Sequence, residues 1–123
     1  MIRIIIMIFF FFGYVCPVYS GELENSLEAG ENIFLYLYTK NCGYCEKFNP
    51  VYKKIETTFN KNIKFIKIDA YTAYGRYLMK SFKANYVPYV VFINSKSNDA
   101  VEFAPNCLLS YSCSEKALRD MSN

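Results

Sequence analysis

The hydrophobic residues of this chain follow two different spacings, and together they predict an alternating order of helices and strands. Runs in which nearly every residue is apolar indicate strands buried in a sheet, whereas apolar residues three and four positions apart indicate helices packed on it. Helices are predicted at residues 22–29, 42–60, 73–83 and 113–121. Strands are predicted at residues 33–38, 63–69, 89–93 and 100–104.

The order of these elements predicts an α/β fold with one four-stranded mixed sheet flanked by helices on both faces. The first two strands are joined through a helix, so they should run parallel with a right-handed crossover. The short polar link at residues 94–99 makes the last two strands an antiparallel hairpin. A chain of 123 residues without a visible linker fits a single domain.

Local signals refine three of these elements. Pro50 falls inside the second predicted helix and should kink it, because proline removes a backbone hydrogen bond. Val101 and Phe103 alternate with other residues, which predicts a half-buried last strand. Ser112 and Glu115 have the spacing of a capping box at the start of the last helix.

The first twenty residues have the pattern of a secretory signal peptide. Arg3 precedes the apolar run of residues 4–12, and Val18 and Ser20 suit a cleavage site. We therefore expect residues 1–20 to be removed, so that residues 21–123 form the mature domain. The product would be exported, to the periplasm in a bacterium and otherwise into the secretory pathway or the extracellular space.

Two other interpretations of this segment stay open. It could persist as a membrane anchor, although its apolar run is shorter than the roughly 20 residues that a spanning helix needs and Pro17 interrupts its end. Cys16 could carry a lipid, although Tyr14 and Val15 before it are a poor match to the small residues that such a site prefers.

Composition narrows the possible chemistry. The 14 basic and 11 acidic residues are interspersed along the chain, which argues against nucleic acid as the main partner. The chain contains no histidine, which excludes histidine-based catalytic triads and histidine-ligated metals. Four of the five cysteines lie after residue 20, and an even number in an exported chain permits disulfides.

Cys42 and Cys45 form a C-x-x-C pair between the first predicted strand and the long helix. The free N–H groups and the dipole of a helix N-terminus favour an anion, so Cys42 should ionise more easily than a free thiol. The thiolate is the attacking species in disulfide exchange. We therefore expect Cys42 to be the exposed nucleophile and Cys45, one turn further on the core face, to be the buried resolving thiol.

Structural alternatives use the same cysteines. The pair could be an inert disulfide, or all four cysteines could hold a structural zinc ion. Cys107 and Cys113 are separated by five residues rather than two, so no metal site is expected. We expect these two cysteines to form a structural disulfide. Two free thiols, or a second redox pair that relays electrons to Cys42, are the alternatives.

With these elements in this order, the chain resembles the thioredoxin superfamily. Cys42 and Cys45 match the redox pair of that family, Pro50 its helix-kinking proline, and Val87-Pro88 the place of its cis-proline. The resemblance extends over residues 22–121 and implies a thioredoxin-like fold. It also implies thiol:disulfide exchange that needs no cofactor.

The resemblance assigns further residues to substrate binding. A cis Pro88 would expose the edge of Val87 as a short backbone ladder, to which a substrate peptide adds as a strand. Gly43 and Tyr44, between the two cysteines, would belong to the same surface, and both would tune the stability of the thiolate. The alternative for Pro88 is an ordinary trans proline at the entry of a strand.

Two positions depart from the family pattern. Tyr36 stands six residues before Cys42, where thioredoxins carry a buried aspartate, so the proton-relay role of that acid is not carried over. Tyr44 makes the motif C-G-Y-C rather than C-G-P-C, a form that is similar to that of bacterial disulfide isomerases.

These features predict an exported, monomeric thiol:disulfide oxidoreductase that exchanges disulfides with protein or peptide substrates. Whether it works as reductase, oxidase or isomerase is left open, and a membrane protein would serve as its redox partner. The chain itself would meet the membrane only through its signal segment before cleavage. The alternative is a redox-inactive module that keeps the fold and uses the groove beside Pro88 to bind peptides.

Overall fold

A four-stranded sheet organises the fold, and the computed structural model describes residues 21–122. The strands are β1 (Asn32–Tyr38), β2 (Ile63–Asp69), β3 (Tyr89–Asn94) and β4 (Asp99–Glu102). The helices are α1 (Glu22–Glu28), α2 (Gly43–Phe59), α3 (Ala73–Ser81), α4 (Pro105–Leu108) and α5 (Tyr111–Ser122). The expected signal peptide, residues 1–20 with Cys16, lies outside the described residues.

The strand order in the sheet is β2–β1–β3–β4. Strand β1 runs parallel to β2, in a register that places Tyr36 beside Lys67. Strands β1 and β3 are antiparallel, and so are β3 and β4. The predicted mixed sheet, with its parallel first pair and its terminal hairpin, is therefore confirmed.

Strand β1 divides its side chains between two hydrophobic cores, one on each face of the sheet. Phe34 and Tyr36 point into a core that also contains residues of α2 and α5. Ile33, Leu35 and Leu37 point into a second core, with residues of α1 and α3. All five side chains are fully buried. This double burial explains why the strand is apolar throughout rather than alternating.

Helix α2 presents the predicted apolar face to the first of these cores. The buried residues of this face recur three and four positions apart, at Cys45, Phe48, Tyr52 and Ile55. The helix continues through Pro50 to Phe59. The kink expected at Pro50 stays a prediction, whereas the position of this proline inside the helix is confirmed.

The last strand differs from its prediction. Strand β4 ends at Glu102, and all four of its residues are exposed, including Val101 at 44%. The expected half-buried Val101 was wrong because β4 forms an edge of the sheet and is flanked by a strand on one side alone. Phe103 is buried as expected, with its ring centroid 5.3 Å from that of Phe34.

The last helix begins two residues earlier than predicted, at Tyr111. The Oγ of Ser110 accepts a hydrogen bond from the N–H of Cys113 at 3.3 Å, so Ser110 rather than Ser112 caps this helix. The preceding helix α4 was not predicted, because its four residues are too few for a periodic pattern. Between residues 21 and 122, none of the helices has the length and apolar character needed to span a membrane.

The two glycines at the starts of α2 and α3 offer a matched test of close packing. Alanine normally stabilises a helix relative to glycine, by about 0.5–1 kcal/mol. At Gly75, however, an added Cβ would overlap the backbone oxygen of Asp69 and lie 2.8 Å from the Cα of Ala70. We therefore expect Gly75→Ala to lower the free energy of unfolding by about 1–3 kcal/mol, measured by urea denaturation of the oxidised protein.

The control for this change is Gly43→Ala, since a Cβ at Gly43 meets nothing within 4 Å. This variant should unfold at the same urea concentration as the parent or at a slightly higher one. Equal stability of the two alanine variants would contradict the close approach of α3 to the end of β2.

Candidate redox site

Cys42 and Cys45 are joined in a disulfide at the junction that follows β1. Their Cα atoms are 5.1 Å apart, within the usual range for such a bond. Cys42 caps the N-terminus of the seventeen-residue helix α2 with an extended backbone, and its Sγ accepts the N–H of Cys45 at 3.0 Å. The sulfur therefore occupies the place where a helix favours negative charge.

The two sulfurs differ in accessibility. Cys45 is 1% exposed and belongs to the core, whereas Cys42 is partly exposed and flanked by the exposed residues Gly43 and Tyr44. An incoming thiolate or disulfide can thus reach Cys42 but not Cys45. This difference agrees with the roles of nucleophile and resolving thiol that the sequence predicts for them.

Val87 and Pro88 lie directly beside the disulfide, although they follow it by more than forty residues in sequence. The peptide bond between them is cis. The Sγ of Cys42 lies 3.8 Å from the carbonyl oxygen of Val87. The structure thus brings together Cys42, Cys45, Val87 and Pro88, and a backbone carbonyl is placed next to the accessible sulfur.

An open groove of about 400 Å³ extends from this point. One wall is formed by residues near the disulfide, and the other by the segment around α4. The lining residues are Tyr44, Tyr86, Val87, Pro88, Pro105, Asn106 and Leu109. None of these carries a charge, and the wall around α4 was not foreseen because α4 itself was not predicted.

Tyr36 lies behind the disulfide, six residues before Cys42 in the sequence. It is fully buried, and its hydroxyl donates to the Oδ1 of Asn49 at 2.9 Å and lies 3.3 Å from the carbonyl oxygen of Cys45. Burial raises the pKa of Tyr36 above its usual value, with a smaller contribution from Tyr38. The phenol therefore remains protonated at neutral pH and acts there as a hydrogen-bond donor.

Two partners of Tyr36 were missed at the level of sequence. Asn49 follows Cys45 by four residues, so helical spacing could have placed it on the same side of α2. The Nζ of Lys67 lies 5.6 Å from the ring centroid of Tyr36 and 4.8 Å from that of Tyr38, within cation–π range. No sequence signal pointed to Lys67, because its place beside Tyr36 follows from the register of β1 with β2.

The other two cysteines among residues 21–122 form a second, separate disulfide. Cys107 in α4 is bonded to Cys113 in the first turn of α5, with 5.2 Å between their Cα atoms. The zinc site of four cysteines is therefore not assembled, since each pair is bonded within itself. Over residues 21–122, no group of three or more His, Cys, Asp or Glu residues has a metal-binding arrangement.

Comparisons with known proteins agree with this geometry. A family model described as Thioredoxin matches residues 15–106. Protein disulfide-isomerase A4 of the mouse, Mus musculus, is 35% identical over 57 residues, which are 44% of this chain and 9% of that protein. The chain thus corresponds to a small part of the curated relative that it matches.

Solved structures show the same fold at low sequence identity. The first thioredoxin domain of mouse protein disulfide-isomerase A4 superposes with a TM-score of 0.68 at 24% identity, covering 86% of this chain and 74% of that domain. The J-Trx1 fragment of ERdj5 superposes with a TM-score of 0.69 at 16% identity, covering 82% of this chain and 48% of that fragment. A thioredoxin from Trypanosoma brucei brucei superposes with a TM-score of 0.67 at 20% identity, covering 85% of this chain and 87% of that thioredoxin.

The buried phenol of Tyr36 makes a prediction for stability at alkaline pH. Its pKa is higher in the folded than in the unfolded protein. The contribution of this phenol to the free energy of unfolding is therefore complete below about pH 10, the ordinary pKa of tyrosine. It is lost as the pH rises further. We expect Tyr36→Phe to lower the free energy of unfolding by about 1 kcal/mol at pH 7, through the lost hydrogen bond to Asn49.

The same variant should also lose less stability than the parent between pH 10 and about 11. The reason is that it lacks a phenol that ionises more readily in the unfolded than in the folded protein. Urea denaturation at a series of pH values measures both effects. Parallel stability curves for parent and variant above pH 10 would show that Tyr36 ionises as easily in the folded state as in the unfolded one.

Proposed function

The chain belongs to the thioredoxin family, and we propose that it is an exported thiol:disulfide oxidoreductase acting on polypeptide substrates through Cys42. One observation carries the proposal. The disulfide at the N-terminus of α2 leaves Cys42 partly exposed and buries Cys45, and the sulfur of Cys42 lies 3.8 Å from the backbone carbonyl oxygen of Val87. An accessible sulfur next to a backbone hydrogen-bond acceptor suits exchange with a polypeptide.

In the reducing direction, the thiolate of Cys42 attacks one sulfur of a substrate disulfide. The substrate disulfide breaks, its second sulfur leaves as a thiolate that takes a proton from water, and a mixed disulfide with Cys42 forms. Cys45 loses its proton to water, and its thiolate attacks the Sγ of Cys42. The Cys42–Cys45 disulfide forms, the mixed disulfide breaks, and the released thiolate takes a proton from water, so that the substrate leaves as a dithiol. The oxidising direction is the reverse of these steps, starting from the disulfide of Cys42 and Cys45.

The site stabilises the thiolate of Cys42 and places Cys45 within reach of it. The N–H of Cys45 points at the sulfur of Cys42 and stabilises a thiolate there, both before attack and when Cys42 is displaced. Cys45 is one turn away on the same helix, so its attack on Cys42 closes a bond between Cα atoms that already lie 5.1 Å apart. The reduction potential against glutathione decides which direction prevails.

Substrate recognition would use the backbone rather than a specific side chain. The carbonyl of Val87 can accept a hydrogen bond from an extended peptide, which gives affinity for many sequences. Gly43 leaves open space beside Cys42, since nothing lies within 4 Å of where its Cβ would be. Tyr44, 62% exposed, offers an aromatic face at the end of the groove.

Substitution of each cysteine separates the roles proposed for them. Cys42→Ser should reduce the rate of insulin disulfide reduction to that of the buffer, because the attacking sulfur is gone. Cys45→Ser should retain the attack but fail to resolve, so that a mixed disulfide of Cys42 with the substrate accumulates. Non-reducing gels and intact mass measure this adduct.

The two serine variants serve as controls for each other, because both lose the same disulfide. Retained binding of polypeptides by Cys42→Ser, together with no exchange by the parent protein, would favour the alternative of a redox-inactive peptide-binding module. An adduct formed equally by both variants would place the nucleophile elsewhere.

Export rests on the pattern of residues 1–20, and a membrane protein of the same compartment would recycle the cysteine pair. We expect the protein isolated from its native host to begin at Gly21, since cleavage after Ser20 follows the small residue that a signal peptidase prefers. Intact mass and N-terminal sequencing test this. A chain that retains residues 1–20 and stays with the membrane fraction would instead support an uncleaved anchor.

A further inference from the structure

The second disulfide lies next to the groove rather than at a distance from it. Cys107 belongs to α4, and the residues on either side of it along the chain, Pro105, Asn106 and Leu109, line the wall opposite Tyr44 and Val87. The position of this wall therefore depends on what holds α4 in place.

Helix α4 has little stability of its own. It has four residues, and its N-cap Ala104 makes no side-chain hydrogen bond to the helix. A single turn of helix is unstable in isolation, because its nucleation costs more than its few hydrogen bonds return. Its location must therefore come from contacts with the rest of the domain.

Three contacts fix α4. The side chain of Leu108 is buried in the core, and the Oγ of Ser114 donates to the carbonyl oxygen of Cys107 at 2.8 Å. The disulfide then ties Cys107 to Cys113 in α5. Helix α5 is a firm anchor, because Ser114 and Leu118 are fully buried against the sheet and α2.

The surroundings of this disulfide differ from those of the redox pair. In α2, the backbone N–H of Cys45 is directed at a sulfur. At the start of α5, the N–H of Cys113 is instead taken by the Oγ of Ser110. The donor that would stabilise a thiolate is thus occupied by a serine, which suits a lasting cross-link better than an exchanging one.

The groove that this cross-link borders favours an apolar occupant. Its lining is uncharged, and Tyr44, Tyr86 and Leu109 are 62%, 41% and 43% exposed. Large apolar side chains left exposed together beside a reactive sulfur mark a contact surface. The matching chemistry is an extended polypeptide with an aromatic or aliphatic residue close to its cysteine.

We propose that the Cys107–Cys113 disulfide positions the α4 wall of the groove and thereby sets the affinity for polypeptides with an apolar residue beside the reacting cysteine. It does so without taking part in the exchange at Cys42. This inference rests on the proposed function, since it assigns a substrate preference to the same site.

The test compares two synthetic peptide disulfides, with Phe or Ser next to the cysteine, and glutathione disulfide as a substrate too small to reach the wall. Dithiothreitol in excess supplies the electrons that return the Cys42–Cys45 pair to its reduced state in each turnover. The key variant is Cys107→Ala with Cys113→Ala. We expect its KM for the Phe peptide to rise about five- to tenfold, as for the loss of one good apolar contact. The kcat, the KM for the Ser peptide and the rate with glutathione disulfide should not change.

Leu109→Ser keeps the Cys107–Cys113 disulfide and should raise the KM for the Phe peptide by a similar factor. Leu27→Ser is its matched control, because Leu27 has a similar exposure (37% against 43% for Leu109) but lies in α1, the helix whose Leu23 packs in the other core. In the cysteine double variant, Leu109→Ser should add little further effect, since the wall that it belongs to has already moved.

Each other result would overturn the inference. An unchanged KM in the double variant would separate the disulfide from the groove, and an equal loss with glutathione disulfide would show a disturbed redox pair. Failure of the double variant to fold, judged by circular dichroism, would assign the disulfide to global stability instead. If the parent protein exchanges neither peptide nor glutathione disulfide, the proposed function itself fails.

Discussion

The burial of β1 on both faces is the constraint on which the rest of the structure depends. Five consecutive side chains of this strand have no exposed surface, and they alternate between two cores. Each core needs its own layer of helices, so this one strand requires the arrangement of helices on either side of the sheet. It also fixes where the chain leaves the sheet, and Cys42 therefore caps the N-terminus of the next helix at the end of the sheet.

Much of this could be predicted because each signal is local. The periodicity of β1, β2 and α2 gave their bounds within a few residues, and the cysteine pair is marked by its place between a strand and a helix. Two of the failures depend on distant parts of the chain, and the third depends on the length of α4. Val101 is exposed because β4 lies at an edge, α4 is too short to show a period, and Lys67 meets Tyr36 through strand register alone.

Tyr36 changes the electrostatics behind the redox pair relative to a buried carboxylate. A phenol whose pKa is raised by burial stays neutral, so it neither repels a thiolate at Cys45 nor accepts its proton at neutral pH. Its hydroxyl ties α2 to β1 through Asn49. In this chain the position therefore orients the helix that carries both cysteines, and the thiolate depends mainly on the backbone of that helix.

The two disulfides differ in what their surroundings favour. At Cys42 the accessible sulfur, the N–H directed at it and the nearby carbonyl of Val87 all favour exchange with another chain. At Cys107 the bond joins a short helix to a long one, and serine side chains occupy the backbone groups around it. In the proposal above, a disulfide that opens repeatedly is bordered by one that stays closed, and a groove whose walls are already fixed loses less conformational entropy when it binds a flexible peptide.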